Sequence, residues 1–127
     1  MQEKIIHRLF LIDGLGALVS AIMLGVVLPL VQPLVGIPLY TLYLLAVFPI
    51  LFAIIDFYAL FKKPSPIQQY LKIIAACNIT YCFLSVAMAY YHRSQITVLG
   101  WIYLIIEVII VGTLALIELN YAKKHQN

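Results

Sequence analysis

The sequence contains few charged residues, and this scarcity indicates its class. Asp, Glu, Lys and Arg make up 10% of the 127 residues, whereas hydrophobic residues make up 65%. A soluble domain carries about 25% charged residues. The composition therefore excludes an ordinary soluble domain and predicts a polytopic membrane protein that forms one domain over residues 1–127.

Common catalytic and cofactor motifs are missing as well. Cys77 and Cys82 are five positions apart, so they form neither a CxxC redox motif nor an easy disulfide within one helix. His7, His92 and His125 lie at predicted helix ends or in the tail, not at a depth where they would hold a haem. The sequence has no HExxH metal motif, no phosphate-binding glycine loop and no nucleophile elbow. We therefore predict no metal site, name no cofactor and favour a protein that is not an enzyme.

Four hydrophobic stretches are each long enough to cross a bilayer. About 20 residues, at 1.5 Å of rise per residue, span the hydrocarbon core. The stretches cover about residues 9–31, 38–61, 67–91 and 98–121. Proline and glycine punctuate the first connection, and the polar segment KKPSP separates the second and third stretches. The sequence thus predicts an all-α transmembrane four-helix bundle surrounded by lipid.

Basic residues lie almost entirely on one side of this four-span arrangement. One side holds Lys4, Arg8, Lys62, Lys63, Lys72, Lys123 and Lys124, and the other holds only Arg93. Loops rich in Lys and Arg stay in the cytoplasm, so we expect both termini to be cytoplasmic. The net charge of +3 follows from this distribution and does not indicate nucleic-acid binding.

An acidic residue, Glu107, lies near the middle of the fourth stretch. A charged acid at mid-membrane costs several kcal/mol unless it is neutral or has a partner. The third stretch offers polar residues at positions i, i+3, i+4 and i+7, namely Asn78, Tyr81, Cys82 and Ser85, which share one face of a helix. We expect this face to meet Glu107, with Asn78 and Tyr81 as hydrogen-bond donors. The cluster is a candidate binding site; the alternative is an interhelical clamp worth about 0.6 to 2 kcal/mol.

A second group of charged residues lies nearer the predicted cytoplasmic side. It consists of Asp13, Asp56, Lys72 and Glu118. Because Lys72 is at a depth similar to that of the two aspartates, we interpret it as a structural ion-pair partner of Asp13 or Asp56.

Four segments carry a resemblance to a known group of proteins. They are LIDGLGALVSAIMLGVVL, GIPLYTLYLLA, LKIIAACNITYC and YLIIEVIIVGTLALIEL, and together they extend along nearly the whole chain. They resemble segments of small, uncharacterised four-span membrane proteins of bacteria. The resemblance implies a location in the bacterial inner membrane and carries over no activity.

Three functions are compatible with these patterns. The first is binding or translocation of a small solute, cation or proton at the Glu107 cluster. Four spans are few to enclose a pathway, so this function predicts a homodimer through the small residues Ala17, Ala21 and Gly25. The second is an accessory or assembly subunit of a larger membrane complex, with structural polar residues. The third, ranked last, is an intramembrane enzyme on a lipid-like substrate with Glu107 as acid or base, because no nucleophile or metal set is present.

Overall fold

This computed structural model describes residues 2–124, with side chains for residues 4–123, and most of this range is helical. The long helices are α1 (Gln2–Ile22), α4 (Leu39–Lys62), α5 (Ile67–Tyr91) and α6 (Val98–Lys124). A π-helical turn (Met23–Val27) and two short helices, α2 (Leu28–Leu30) and α3 (Gln32–Val35), connect α1 to α4. The described residues contain no strand, and the predicted all-α four-helix bundle is confirmed.

Four segments of this fold are long and apolar enough to cross a membrane. Their bounds are Lys4–Leu30, Leu39–Lys62, Ile67–Tyr91 and Val98–Lys123. The chain is therefore a multi-pass membrane protein. The first helix begins earlier than the predicted span, because the helix continues through the polar residues that precede the hydrophobic stretch. An even number of spans places both termini on the same side; that this side is the cytoplasm stays a prediction.

The first span contains a π-helical turn that the sequence did not predict. Within it, the backbone N–H of Leu28 donates to the carbonyl oxygen of Met23, five residues earlier. Pro29 follows directly, and a proline ring lacks an N–H and clashes with the carbonyl of the residue four positions before it, here Gly25. The wider turn accommodates the proline without ending the span.

The bundle consists of two antiparallel helix pairs. Helix α1 packs along α4, and α5 packs along α6, whereas α1 touches α5 and α6 at only a few places. Buried apolar side chains fill the bundle centre; the largest include Phe10, Leu24, Leu45 and Ile74. Many large apolar side chains face outward, as expected when the surrounding solvent is lipid. The pairs are each closely packed, whereas α1 contacts both α5 and α6 sparsely.

Backbone contacts join the two pairs at the end that holds α3. The N–H of Thr97 donates to the carbonyl of Val35 at 3.0 Å, and the Thr97 hydroxyl donates to the carbonyl of Leu34 at 2.6 Å. A Cβ placed on Gly100 would lie 2.2 Å from the Val35 carbonyl oxygen, so only glycine allows this approach. The start of α6 is therefore fixed against α3.

The same end carries a buried histidine. Nε2 of His92 lies 3.0 Å from the Tyr40 hydroxyl and 3.2 Å from the Thr41 hydroxyl. His92 follows the last residue of α5, and the two hydroxyls belong to the first turn of α4. These hydrogen bonds link α4 to α5 and hold the two helix pairs together at this end. The seam between α1 and α6 has few contacts by comparison.

Candidate functional site

A cavity of about 330 Å³ lies between α1 and α6, with α4 and α5 behind it. Its wall is mostly apolar. The polar lining residues are Asp13, Ser20, Asn78, Tyr81, Tyr103 and Glu107. None of the described side chains that line the cavity is basic. The cavity is therefore an apolar space whose ionisable groups are two carboxyls and two phenols.

Glu107 has a hydrogen-bond donor for each of its carboxyl oxygens. The Tyr81 hydroxyl donates to Oε1 and the Tyr103 hydroxyl donates to Oε2, both at 2.9 Å. Ser20 of α1 is a further polar neighbour of this carboxyl. Two phenolic donors can support a carboxylate, and Ser20 can accept the proton of the neutral acid. The surroundings of Glu107 therefore suit both of its protonation states.

The ring of Tyr81 is held by a second aromatic residue on the cavity wall. Phe52 of α4 packs edge-to-face against Tyr81, with ring centroids 6.0 Å apart. Tyr103 needs no partner helix to reach Glu107, because the two residues are four positions apart on α6 and share one face. The hydrogen bonds to Glu107 thus come from one neighbouring helix and from its own helix.

The predicted meeting of the third and fourth spans occurs at Tyr81 and Glu107, but Asn78 has different partners. The Asn78 amide nitrogen donates to Oδ1 of Asp13 at 2.9 Å and to Oε1 of Glu118 at 3.1 Å. Asn78 precedes Tyr81 by almost one turn, and its short side chain reaches only the acids at its own level. The expectation that Asn78 donates to Glu107 is therefore wrong.

Cys82 and Ser85, the other two members of the predicted cluster, lie outside this cavity. Sγ of Cys82 contacts the carbonyl oxygen of Val108 at 3.8 Å. Ser85 is buried next to Tyr81 and lines a separate cavity of about 180 Å³ together with Trp101. These two residues contribute to the packing of α5 against α6, not to the space around Glu107.

Three buried acids form a second group around Asn78. Asp56 and Glu118 are 0% exposed and Asp13 is 5% exposed. The carboxyls of Asp13 and Asp56 face each other within hydrogen-bonding reach. Among the described residues, both oxygens of Asp56, Oδ2 of Asp13 and Oε2 of Glu118 have no hydrogen-bond donor. Since two carboxylates in contact repel each other, one proton shared by Asp13 and Asp56 would neutralise one and supply the missing donor.

Lys72 does not join these acids. Within the described part of the chain neither oxygen of Asp56 has a partner, and the hydrogen bond of Asp13 is to Asn78, so the expected ion pair is absent. Lys72 precedes Asn78 by six residues, which places the two about 120° apart around α5. Lys72 matches the two aspartates in depth along the helix but lies on a different face of α5 from Asn78.

Gly14 explains how Asp13 comes so close to Asp56. A Cβ on Gly14 would lie 3.2 Å from the Cβ of Asp56 and 3.1 Å from the ring of Phe57. The glycine therefore allows α1 and α4 to approach closely beside the two acids. The role of Gly14 was not predicted, although a glycine directly after an acid in a hydrophobic stretch was a usable signal.

The small residues expected to form a dimer interface are largely used inside the chain. Ala17 lines the cavity. A Cβ on Gly25 would lie 3.7 Å from the Cβ of Ala46 in α4, which is ordinary packing distance. The homodimer stays a prediction, and these two residues do not support it.

Comparison with known proteins does not assign this site. No protein-family model matches the chain, and neither a curated protein nor a solved structure matches it. Within residues 2–124, no group of three or more His, Cys, Asp and Glu side chains is placed to hold a metal ion. The cavity and its carboxyl groups are therefore the observations that bear on function.

Proposed function

We propose that the protein binds a small organic cation at Glu107, in exchange for a proton, as a step in moving that cation across the membrane. One observation carries the proposal: a largely apolar cavity of about 330 Å³ contains a carboxyl with two phenolic donors and no basic residue among its described lining. A ligand site of this kind combines an apolar wall with a few directed polar groups.

The wall of the cavity favours an organic cation over an inorganic one. Hard cations such as Ca²⁺ take six to eight oxygen ligands, and Mg²⁺ also prefers an oxygen-rich shell. This cavity offers mainly carbon, including Met23, Phe52 and the rings of Tyr81 and Tyr103. An aromatic ring attracts a cation through its face, and apolar walls accept an alkyl or aryl body.

Proton exchange follows from the position of Glu107 within a membrane span. An isolated carboxylate at that depth costs several kcal/mol. A proton on Glu107 makes the empty site neutral and avoids this cost. An arriving cation supplies the countercharge instead, and the proton leaves to water or, for a neutral amine, to the amine nitrogen. The groups facing Glu107 are Tyr81 of α5, Tyr103 of α6 and Ser20 of α1, all uncharged donors or acceptors at neutral pH.

The cavity also has an entrance from the side. Val19 of α1 and Ile106 and Ile110 of α6 line it, and each side chain is more than half exposed. These residues border the sparse seam between α1 and α6, which faces lipid in a monomer. An amphipathic amine can therefore reach Glu107 from the bilayer.

Calorimetry on the protein purified in detergent tests the binding step. We expect hexylamine to bind wild type, with one proton released per bound ammonium ion, measured by repeating the titration in buffers of different ionisation heat. Glu107→Gln should lose the binding and the proton release. Thr80→Val is the matched control, because Thr80 faces outward and bonds only to the carbonyl of Ala76 in its own helix.

The same experiment can reject the proposal. If hexylamine does not bind wild type, or binds wild type and Glu107→Gln equally, Glu107 is a structural clamp and the proposal is wrong. Proteoliposomes with a pH gradient test the second step. Binding without gradient-driven hexylamine uptake would remove translocation and leave the binding site.

A further inference from the structure

The cavity contains a second carboxyl, that of Asp13, which the proposed binding step leaves unused. Ser20 is a polar neighbour of Glu107, and Asp13 precedes Ser20 by seven residues on α1. Seven residues of α-helix rise about 10 Å. The level of Asp13 on α1 is therefore about 10 Å along the helix axis from the level of Ser20 and Glu107, and both acids line the same cavity.

The wall between the two acids is apolar. It is formed by Ala17 of α1, Phe52 of α4, and Val111 and Leu114 of α6. None of these side chains offers a hydrogen bond, so a polar linker between two ligand charges would lose its water without compensation. A methylene chain suits this stretch of wall.

Asp13 can carry the charge that a second ammonium group would require. The Asn78 amide donates to its Oδ1, whereas Oδ2 has no donor among the described residues. The side chain is 5% exposed, so a lone charge there would be expensive. With one proton shared between them, Asp13 and Asp56 hold one negative charge, and an ammonium group at Asp13 would neutralise it while the proton remains on Asp56.

We propose that the preferred ligand is a linear diamine whose two ammonium groups bind Glu107 and Asp13 at the same time. The inference rests on the proposed function, since it uses the same cavity and the same Glu107 site. It adds the ligand class and a length: the two nitrogens are about 10 Å apart, which is the rise between the two acidic levels. A monoamine of the same length satisfies one carboxyl only.

A ligand series measured by calorimetry in detergent tests this inference without any mutation. The series contains diamines with four, seven and ten methylenes and, for each length, the monoamine and the amino alcohol. We expect the diamine of seven methylenes to bind about tenfold more tightly than its monoamine and its amino alcohol, because a second charge-assisted contact is added. The advantage should be smaller at four methylenes, which cannot reach both acids.

Variants then assign the two ends. Asp13→Asn should reduce the diamine to the affinity of the monoamine and leave monoamine binding in place. Glu107→Gln should weaken both ligands, and Thr80→Val should change neither. Thermal unfolding in detergent checks that each variant is folded; if Asp13→Asn is not, the wild-type ligand series still decides.

Two results separate this inference from the proposed function. If monoamines bind but the second ammonium group brings no advantage at any length, the diamine inference is wrong and the proposed function stands. If neither monoamines nor diamines bind wild type, the proposed function fails, and the diamine inference fails with it.

Discussion

Glu107 and Asp56 are buried acids of one bundle, but their hydrogen-bond surroundings differ. Both oxygens of Glu107 accept a phenolic hydrogen bond at 2.9 Å. Neither oxygen of Asp56 has a donor among the described residues, and its neighbour is another acid, Asp13. Burial alone therefore does not define what an acid does within a membrane span. The donors around it decide whether it can carry a charge or has to keep a proton.

Access differs between the two acids as well. Glu107 lines the cavity at the sparse seam between the helix pairs. Asp56 lies within the close α1–α4 pair, beside Gly14, and does not line that cavity. A ligand can reach the first acid and not the second. In the proposed function, Glu107 exchanges a proton for a cation, and the pair of Asp13 and Asp56 keeps a proton.

The largest expected effect comes from forcing α1 and α4 apart at Gly14, where the two helices pack closely. Gly14→Leu places a side chain where a Cβ already lies 3.1 Å from Phe57 and 3.2 Å from Asp56. Overpacking of this kind costs about 1 to 3 kcal/mol. We expect that loss in the free energy of unfolding, measured by denaturant titration in bicelles. Gly16→Leu is the matched control, because a Cβ on Gly16 meets nothing within 4 Å; equal losses in both variants would show that the α1–α4 seam is not the cause.

The next effect concerns the donors around Glu107. Glu107→Leu leaves the hydroxyls of Tyr81 and Tyr103 without their acceptor. An orphaned buried polar group costs about 1 to 3 kcal/mol, so the variant should lose stability in the same titration. Glu107→Gln keeps an acceptor oxygen and should lose less. A Gln variant as unstable as the Leu variant would contradict the described hydrogen bonds.

A double-mutant cycle measures the two phenols separately. Tyr81→Phe and Tyr103→Phe each remove one donor, and hydrogen bonds between membrane helices are worth about 0.6 kcal/mol on average. We expect similar small losses from each variant when Glu107 is present and smaller losses in a Glu107→Gln background. Strict additivity across the backgrounds would indicate that the phenols stabilise the bundle by packing alone.

The sequence predicted the number of spans, because length and apolarity are properties of each segment alone. It also predicted that Tyr81 meets Glu107, since helical spacing defines a face. It did not predict that Asn78 binds Asp13 and Glu118, or that Lys72 stands apart, because those contacts depend on how each helix is rotated about its axis. The sparse seam between α1 and α6, and therefore the cavity, likewise follows from packing between helices and not from any one of them.

The smallest expected effect is that of a substitution at Asp56. It tests most directly the difference between Asp56 and Glu107. Asp56→Asn removes a group that has no donor as a carboxylate and replaces it with an amide that can donate to Asp13. The shapes match, so the free energy of unfolding should change by no more than about 0.5 kcal/mol, as for substitutions that break no native contact. Asp56→Ala removes this neighbour of Asp13 and creates a cavity in the close α1–α4 seam. This variant should be clearly less stable.

If Asp56 instead functioned as a charged residue with an ionic partner, the Asn and Ala variants would lose similar stability, because both remove the charge. Unfolding titrations of the two variants in bicelles, at neutral pH, distinguish a stored proton from a buried ion pair.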